Sequence, residues 1–165
     1  MDIQLILGPN GSGKSLYAEE QAVRTGAKLC YLATMVAQTE ENHRRIEKHR
    51  IQRRDKGFRT VEQDWNIDRI PVSPDEVVLL EDASNLVANG IFAHGADGGD
   101  ALRQILALAE KCRRVIVVSI GGLSEEGYDS ETAGYIRTLN ALNRALGERA
   151  CSVVEMKDGV PVRRT

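Results

Sequence analysis

Eight residues near the start of the sequence have the types and spacing of a loop that binds phosphate groups. They follow the pattern G-x-x-x-x-G-K-[S/T] and are Gly8, Pro9, Asn10, Gly11, Ser12, Gly13, Lys14 and Ser15. Glycines let the backbone curl so that successive N–H groups face phosphate oxygens, and the helix that follows adds the positive end of its dipole. The Lys14 ammonium would bridge the β- and γ-phosphates of a nucleoside triphosphate, and the Ser15 hydroxyl would bind Mg²⁺.

A second candidate group follows a buried apolar run. The run at 77–80 ends in Glu81 and Asp82, and an acidic residue at the end of a buried strand commonly holds Mg²⁺ through water in nucleotide-binding proteins of this kind. Asp82 is also placed to cap the helix that follows. The sequence alone leaves open which of the two carboxylates serves the metal, and whether both merely cap the helix.

A third candidate group lies in a basic segment. Residues 43–56 contain seven Lys or Arg against two acids, a local charge of +5 in a chain whose net charge is −2. Arg45, His49 and Arg53 recur every fourth residue, so they share one helix face. Surrounding cations would keep the His49 imidazole neutral and able to attack phosphorus. A solvated face or a nucleic-acid surface explains the same composition equally well, although no aromatic residue is interleaved for base stacking.

The elements that would position these residues alternate along the chain. Short, nearly continuous apolar runs predict strands buried on both faces of a mostly parallel sheet. The predicted strands are 3–7, 29–33, 77–80, 115–120 and 152–156, with a further short strand at 59–62. The predicted helices are 14–24, 39–54, 83–92, 100–111 and 130–146. This order predicts a three-layer α/β/α sandwich of the P-loop NTPase type.

Composition narrows the class of protein further. The chain has 165 residues, 42% of them apolar, which suits one domain over residues 1–165 with a real core. The net charge of −2 argues against a polycation built for nucleic acid, and no apolar run has the length of a membrane helix. The start Met1–Gln4 does not resemble a secretion signal, and three cysteines without a CxxC pair favour reduced thiols. We therefore expect a cytoplasmic protein.

Several segments together resemble the bifunctional adenosylcobinamide kinase / adenosylcobinamide-phosphate guanylyltransferase family of cobalamin biosynthesis. The similarity includes the phosphate loop, the strand end Tyr31–Thr34, and the segment Arg45–Arg50, which matches the family's helix bearing a guanylylated histidine. It continues through Arg59–Glu62 and the strand end at Glu81, and Asn143 and Gly159–Pro161 resemble the family near the C-terminus. The combination of these segments is much more specific than the phosphate loop alone.

The resemblance implies an enzyme with two activities at one site. ATP or GTP would phosphorylate the aminopropanol hydroxyl of adenosylcobinamide, and His49 would then take GMP from GTP and pass it to the cobinamide phosphate. Lys14 and His49 would be the catalytic residues, with Arg50 and Glu62 helping the loop to bind nucleotide. Mg²⁺ would be held by Ser15 with Glu81 or Asp82. The partners implied are a nucleoside triphosphate and a corrinoid, in a homo-oligomer that the family suggests is a trimer.

The sequence also departs from the family pattern. Gly11 stands where the family usually has arginine, Asp82 where it often has cysteine, and Ser119–Gly122 where it typically has Asn-Glu-Val-Gly. These changes bear on substrate positioning more than on nucleotide binding. Two alternatives therefore remain: a P-loop kinase for another small acceptor, without guanylyl transfer, and a nucleotide-dependent module that binds nucleic acid or protein.

Overall fold

A seven-stranded sheet forms the centre of the molecule. The computed structural model describes residues 1–35 and 40–164, without the side chains of Arg45, His49 and Gln52. The strands are β1 (Ile3–Leu7), β2 (Lys28–Ala33), β3 (Phe58–Glu62), β4 (Glu76–Glu81), β5 (Arg114–Ser119), β6 (Ser152–Lys157) and β7 (Val160–Arg163). Their order across the sheet is β3-β2-β4-β5-β1-β6-β7. All neighbouring pairs are parallel except β6 and β7, which form an antiparallel hairpin.

Helices connect the parallel strands. They are α1 (Lys14–Arg24), α2 (Glu40–Arg54), α3 (Ala83–His94), α4 (Asp100–Lys111) and α5 (Ser130–Arg149), with a short 3-10 helix at Ile67–Arg69. Among the described residues, no helix is long and apolar enough to cross a bilayer.

Alternating side chains of the strands build two cores, one on each face of the sheet. Odd-numbered residues of β1, such as Leu5, face the core beneath α3, α4 and α5, and Ile6 faces the core beneath α1. The central strands are almost fully buried because both of their faces are covered. The three-layer α/β/α fold predicted from the sequence is therefore confirmed.

The structure corrects several predicted boundaries. Helix α3 runs beyond residue 92 to His94, where Gly95 ends it in the left-handed region at φ 60°. Helix α5 continues beyond residue 146 to Arg149. Strand β5 ends at Ser119 rather than at Ile120, whose carbonyl oxygen accepts a bond from the side chain of Asn143 instead. Residue 39, predicted to begin the second helix, lies outside the described residues.

Trp65 fixes the connection after β3 against α3. Its ring lies so close to Gly90 that a Cβ at that position would be 2.5 Å from the indole. His94 stacks on the same ring, with 5.7 Å between the ring centroids, and its Nε2 lies 2.9 Å from Asp64 Oδ2. The segment that follows β3 is thereby held beside α3.

Candidate active site

The phosphate loop lies between β1 and α1 and has the backbone that its glycines allow. Gly11 and Gly13 have φ angles of 75° and 85°, a region that other residues seldom adopt. A Cβ on Gly8 would lie 2.5 Å from Ser12 Oγ and 3.2 Å from Met156 Cβ, so any larger residue here would displace the Ser12 hydroxyl. Gly13 is the N-cap of α1 and makes no side-chain cap, which leaves the first N–H groups of the helix available to an anion.

Two polar side chains of the loop are buried. Lys14 is 7% exposed, and its Nζ donates to the carbonyl oxygen of Pro9 at 3.2 Å. The hydroxyl of Ser12 is buried and has no hydrogen-bond partner in the described part of the chain. Buried polar groups without a partner are uncommon, and a bound phosphate would give this hydroxyl one.

Ser15 and Glu81 bring the loop and the end of β4 together. The Ser15 hydroxyl donates a hydrogen bond to Glu81 Oε1. The second oxygen, Oε2, is buried and accepts no hydrogen bond from the described residues. Burial raises the pKa of Glu81 to about 7, and the charge of Asp82 adds to the rise, while the Ser15 bond and the charge of Lys14 oppose it.

These oxygen atoms fit a Mg²⁺ site. A hydroxyl and a carboxylate with a spare oxygen are hard donors of the type that Mg²⁺ prefers, and Mg²⁺ commonly takes its other ligands from phosphates and water. The described residues contain no group of three or more His, Cys, Asp or Glu side chains that could hold a metal ion. An ion here would therefore depend on the nucleotide and on water to complete its shell.

Asp82 has a different set of contacts from Glu81. Its Oδ1 accepts bonds from the backbone N–H of Asn85 at 2.8 Å and the hydroxyl of Ser84 at 2.7 Å, so it is the N-cap of α3. The Glu81–Asp82 peptide bond is cis. Of the two carboxylates that the sequence left open, only Glu81 contacts Ser15 in the described structure.

Thr34 positions both acids and was given no role from the sequence. It is fully buried at the end of β2, and its Oγ1 donates toward the carbonyl oxygens of Asp82 at 2.9 Å and Glu81 at 3.2 Å. The same Oγ1 accepts from the N–H of Asp82 at 3.0 Å. Asn89 ties this corner to the end of β3, since its Nδ2 donates to the carbonyl oxygens of Thr34 and Asp64. The sequence signals were its position directly after a buried strand and its place in the Tyr31–Thr34 segment that resembles the family.

Asn143 positions the other side of the loop. It accepts a bond from the Ser119 hydroxyl at 2.7 Å and donates to the Ile120 carbonyl oxygen at 2.9 Å. The carbonyl oxygen of Ser119 in turn accepts from the N–H of Gly8 at 3.2 Å. Helix α5 therefore anchors the first residue of the phosphate loop through the end of β5.

A cavity of about 330 Å³ opens beside the Ser15–Glu81 contact. Its lining residues come from α1, α2, α3 and the ends of β2, β3 and β4. They are Ser15, Glu19, Tyr31, Ala33, Met35, Ile46, Arg53, Glu62, Glu81, Asp82 and Asn85. The set contains four carboxylates and one cation, Arg53. Glu62, predicted to bind nucleotide, thus lies at the same cavity as Ser15.

The basic helix contributes to this cavity in an unexpected way. The apolar residue Ile51 is 52% exposed, whereas the charged residue Arg53 is 6% exposed. Arg50, predicted to bind nucleotide, is not among the residues that line the cavity, and its Nη1 lies 3.8 Å from Glu47 Oε2 on the same helix. The side chain of His49, the predicted nucleophile, lies outside the described part of the structure.

Comparison with known proteins gives a consistent set of relatives. A family model described as cobinamide kinase / cobinamide phosphate guanyltransferase matches residues 4–164. The bifunctional adenosylcobalamin biosynthesis protein CobP of Pseudomonas aeruginosa is 32% identical over 164 residues, which cover 96% of this chain and 94% of that protein. The bifunctional adenosylcobalamin biosynthesis protein CobU of Escherichia coli is 38% identical over 96 residues, and the match spans only about half of each protein, 56% of this chain and 52% of the relative.

Solved structures show the same fold at low sequence identity. The flagellar accessory protein FlaH of Methanocaldococcus jannaschii has a TM-score of 0.55 and 12% identity, covering 97% of this chain and 74% of that one. A DnaB-like replicative helicase has a TM-score of 0.52 and 13% identity, and the match covers 93% of this chain and 47% of the helicase chain. At such identities the likeness concerns the P-loop NTPase fold alone.

Proposed function

The chain belongs to the cobinamide kinase / cobinamide phosphate guanyltransferase family, and we propose that it catalyses both reactions in that name. In the first, ATP or GTP phosphorylates the hydroxyl of the aminopropanol arm of adenosylcobinamide. In the second, GMP passes from GTP to the resulting phosphate. The observation that carries the proposal is the cavity lined by Ser15 of the phosphate loop together with Glu81 and Glu62.

In the kinase reaction the loop would bind the triphosphate and the acceptor hydroxyl would enter from the cavity. The hydroxyl oxygen attacks the γ-phosphorus, the bond from that phosphorus to the bridging oxygen breaks, and the nucleoside diphosphate leaves. A carboxylate of the cavity takes the hydroxyl proton. Lys14 and the amides of Gly11 and Gly13 would stabilise the charge on the phosphates, which is most of what a protein contributes to phosphoryl transfer.

We assign the metal to Ser15 and Glu81. Mg²⁺ held there would supply positive charge that offsets the negative charge of the phosphates. Asp82 is assigned to capping, because its Oδ1 already accepts two hydrogen bonds from the first turn of α3.

In the guanylyl reaction His49 is the proposed nucleophile. Its neutral imidazole attacks the α-phosphorus of GTP, a P–N bond forms, and pyrophosphate leaves. An oxygen of the cobinamide phosphate then attacks the same phosphorus, the P–N bond breaks, and the imidazole is released. Support comes from Ile46 and Arg53, three residues before and four after position 49, which both line the cavity.

Labelled GTP tests this proposal. Protein incubated with GTP labelled at the α-phosphate should acquire acid-labile, alkali-stable label, as expected of a phosphoramidate. The variant His49→Asn should acquire none, while the matched control His43→Asn, exposed on the same helix, should be labelled like the wild type. If the wild-type protein phosphorylates cobinamide but acquires no label from GTP, it is a kinase without guanylyl transfer.

A further inference from the structure

Arg53 is a buried cation on a helix that is otherwise largely exposed. Its side chain is 6% exposed, and its guanidinium carbon lies 3.4 Å from the centre of the Tyr31 ring. The Nε group is buried, with no hydrogen-bond partner among the described residues. Burying a charged group is costly unless its donors are satisfied, so an unpartnered Nε at a cavity indicates a ligand that would satisfy it.

Arg53 and the phosphate loop approach the cavity from different strands of the sheet. It stacks on Tyr31 of β2, which is the neighbour of β4, the strand that ends in Glu81. The loop follows β1, which lies three strands from β2 in the sheet order, and its last residue, Ser15, reaches across to Glu81 at the end of β4. Arg53 therefore reaches the cavity from the β2 side, whereas Ser15 reaches it from the loop after β1.

The charges around the cavity restrict the kind of ligand that can bind there. Glu19, Glu62, Glu81 and Asp82 line it together with Arg53. A phosphate entering this acidic surface would be repelled unless a cation met it, and Arg53 is the cation among the described lining residues. The planar guanidinium presents donors in the geometry that suits phosphate oxygens, and stacking on Tyr31 fixes the orientation of that plane.

We propose that Arg53 binds the phosphate monoester of the acceptor during guanylyl transfer. The inference rests on the proposed function and adds a binding residue on the acceptor side of the cavity. Arg53 would hold the phosphate that cobinamide gains in the first reaction and present one of its oxygens for the second. It would make no contact with cobinamide itself, which has no phosphate on that hydroxyl.

Two substrates that differ only in the phosphate test the role of Arg53. For Arg53→Met we expect the KM for cobinamide phosphate to rise about 10- to 100-fold, as for loss of a charged hydrogen bond. The KM values for GTP and for cobinamide should stay within about twofold of wild type. Arg53→Lys keeps the charge but loses the forked arrangement of donors. Its KM for cobinamide phosphate should lie between those of wild type and Arg53→Met. Arg54→Met is the matched control, because the neighbouring arginine is exposed.

The outcomes that would overturn the proposal are distinct from failure of the proposed function. An unchanged KM for cobinamide phosphate in Arg53→Met excludes the contact. An equal rise for GTP or for cobinamide means that Arg53 binds nucleotide or only supports the fold. If the wild type forms no covalent GMP, the proposed function fails, and calorimetric binding of cobinamide phosphate against cobinamide to wild type and Arg53→Met still decides the role of Arg53.

Discussion

Replacing Glu81 with glutamine removes a carboxyl group whose protonation is linked to folding. The pKa of this group is about 7 in the folded protein, against 4.5 for an ordinary glutamate. At 1.36 kcal/mol per unit, the difference corresponds to about 3 kcal/mol. Since the folded state holds the proton more tightly than the unfolded state, stability falls as the pH rises from 4.5 through 7, and the loss is complete above that range.

Urea denaturation between pH 4.5 and 8 measures this effect. The free energy of unfolding of Glu81→Gln, minus that of wild type, should increase by about 3 kcal/mol from the acid to the alkaline end of the series. Glu155→Gln is the matched control, because the Arg164 hydrogen bond lowers the pKa of Glu155, so any pH dependence of stability from this carboxyl group has the opposite sign to that from Glu81. Parallel curves for wild type and Glu81→Gln would refute the burial of an ionisable Glu81.

Two further substitutions test positions around the site. Asp82→Ala should lower the free energy of unfolding by about 1 kcal/mol through loss of the α3 cap. It should leave the Mg²⁺ dependence of nucleotide binding unchanged. A weaker Mg²⁺ dependence in this variant would reassign the metal to Asp82. Gly90→Ala should lower the urea midpoint by the equivalent of about 1–3 kcal/mol because its Cβ would overlap Trp65. Gly134→Ala, which has open space around its Cβ, should not destabilise, and equal effects of the two would contradict the close packing of Trp65.

The fold was predictable because its signals are local in the sequence. Buried parallel strands such as β4 and β5 are continuous apolar runs, and the phosphate loop is a pattern of eight consecutive residues. The hairpin strand β7 was harder to predict because its residues are mostly exposed and it contains a proline. The end of strand β5 was harder to predict because the Ile120 carbonyl oxygen accepts a hydrogen bond from the distant side chain of Asn143.

The site was only partly predictable because its key contacts join distant residues. A run of positive charge usually indicates a solvated face, and the burial of Arg53 depends on Tyr31, which lies on another element. The choice between Glu81 and Asp82 likewise depends on which of them reaches Ser15, since both follow the same strand. Thr34 acts through its contacts with the backbone of those acids, which no spacing in the sequence reveals.

Pro161 limits the association of copies of this protein through the exposed edge of the sheet. The N–H of Arg164 donates to the carbonyl oxygen of Val153 on β6, and donors alternate in direction along an antiparallel strand. Position 161 therefore faces outward from β7, the last strand of the sheet, where a free N–H would invite another chain to extend the ladder. Proline has no such donor, so this rim of the sheet is protected against edge-to-edge aggregation.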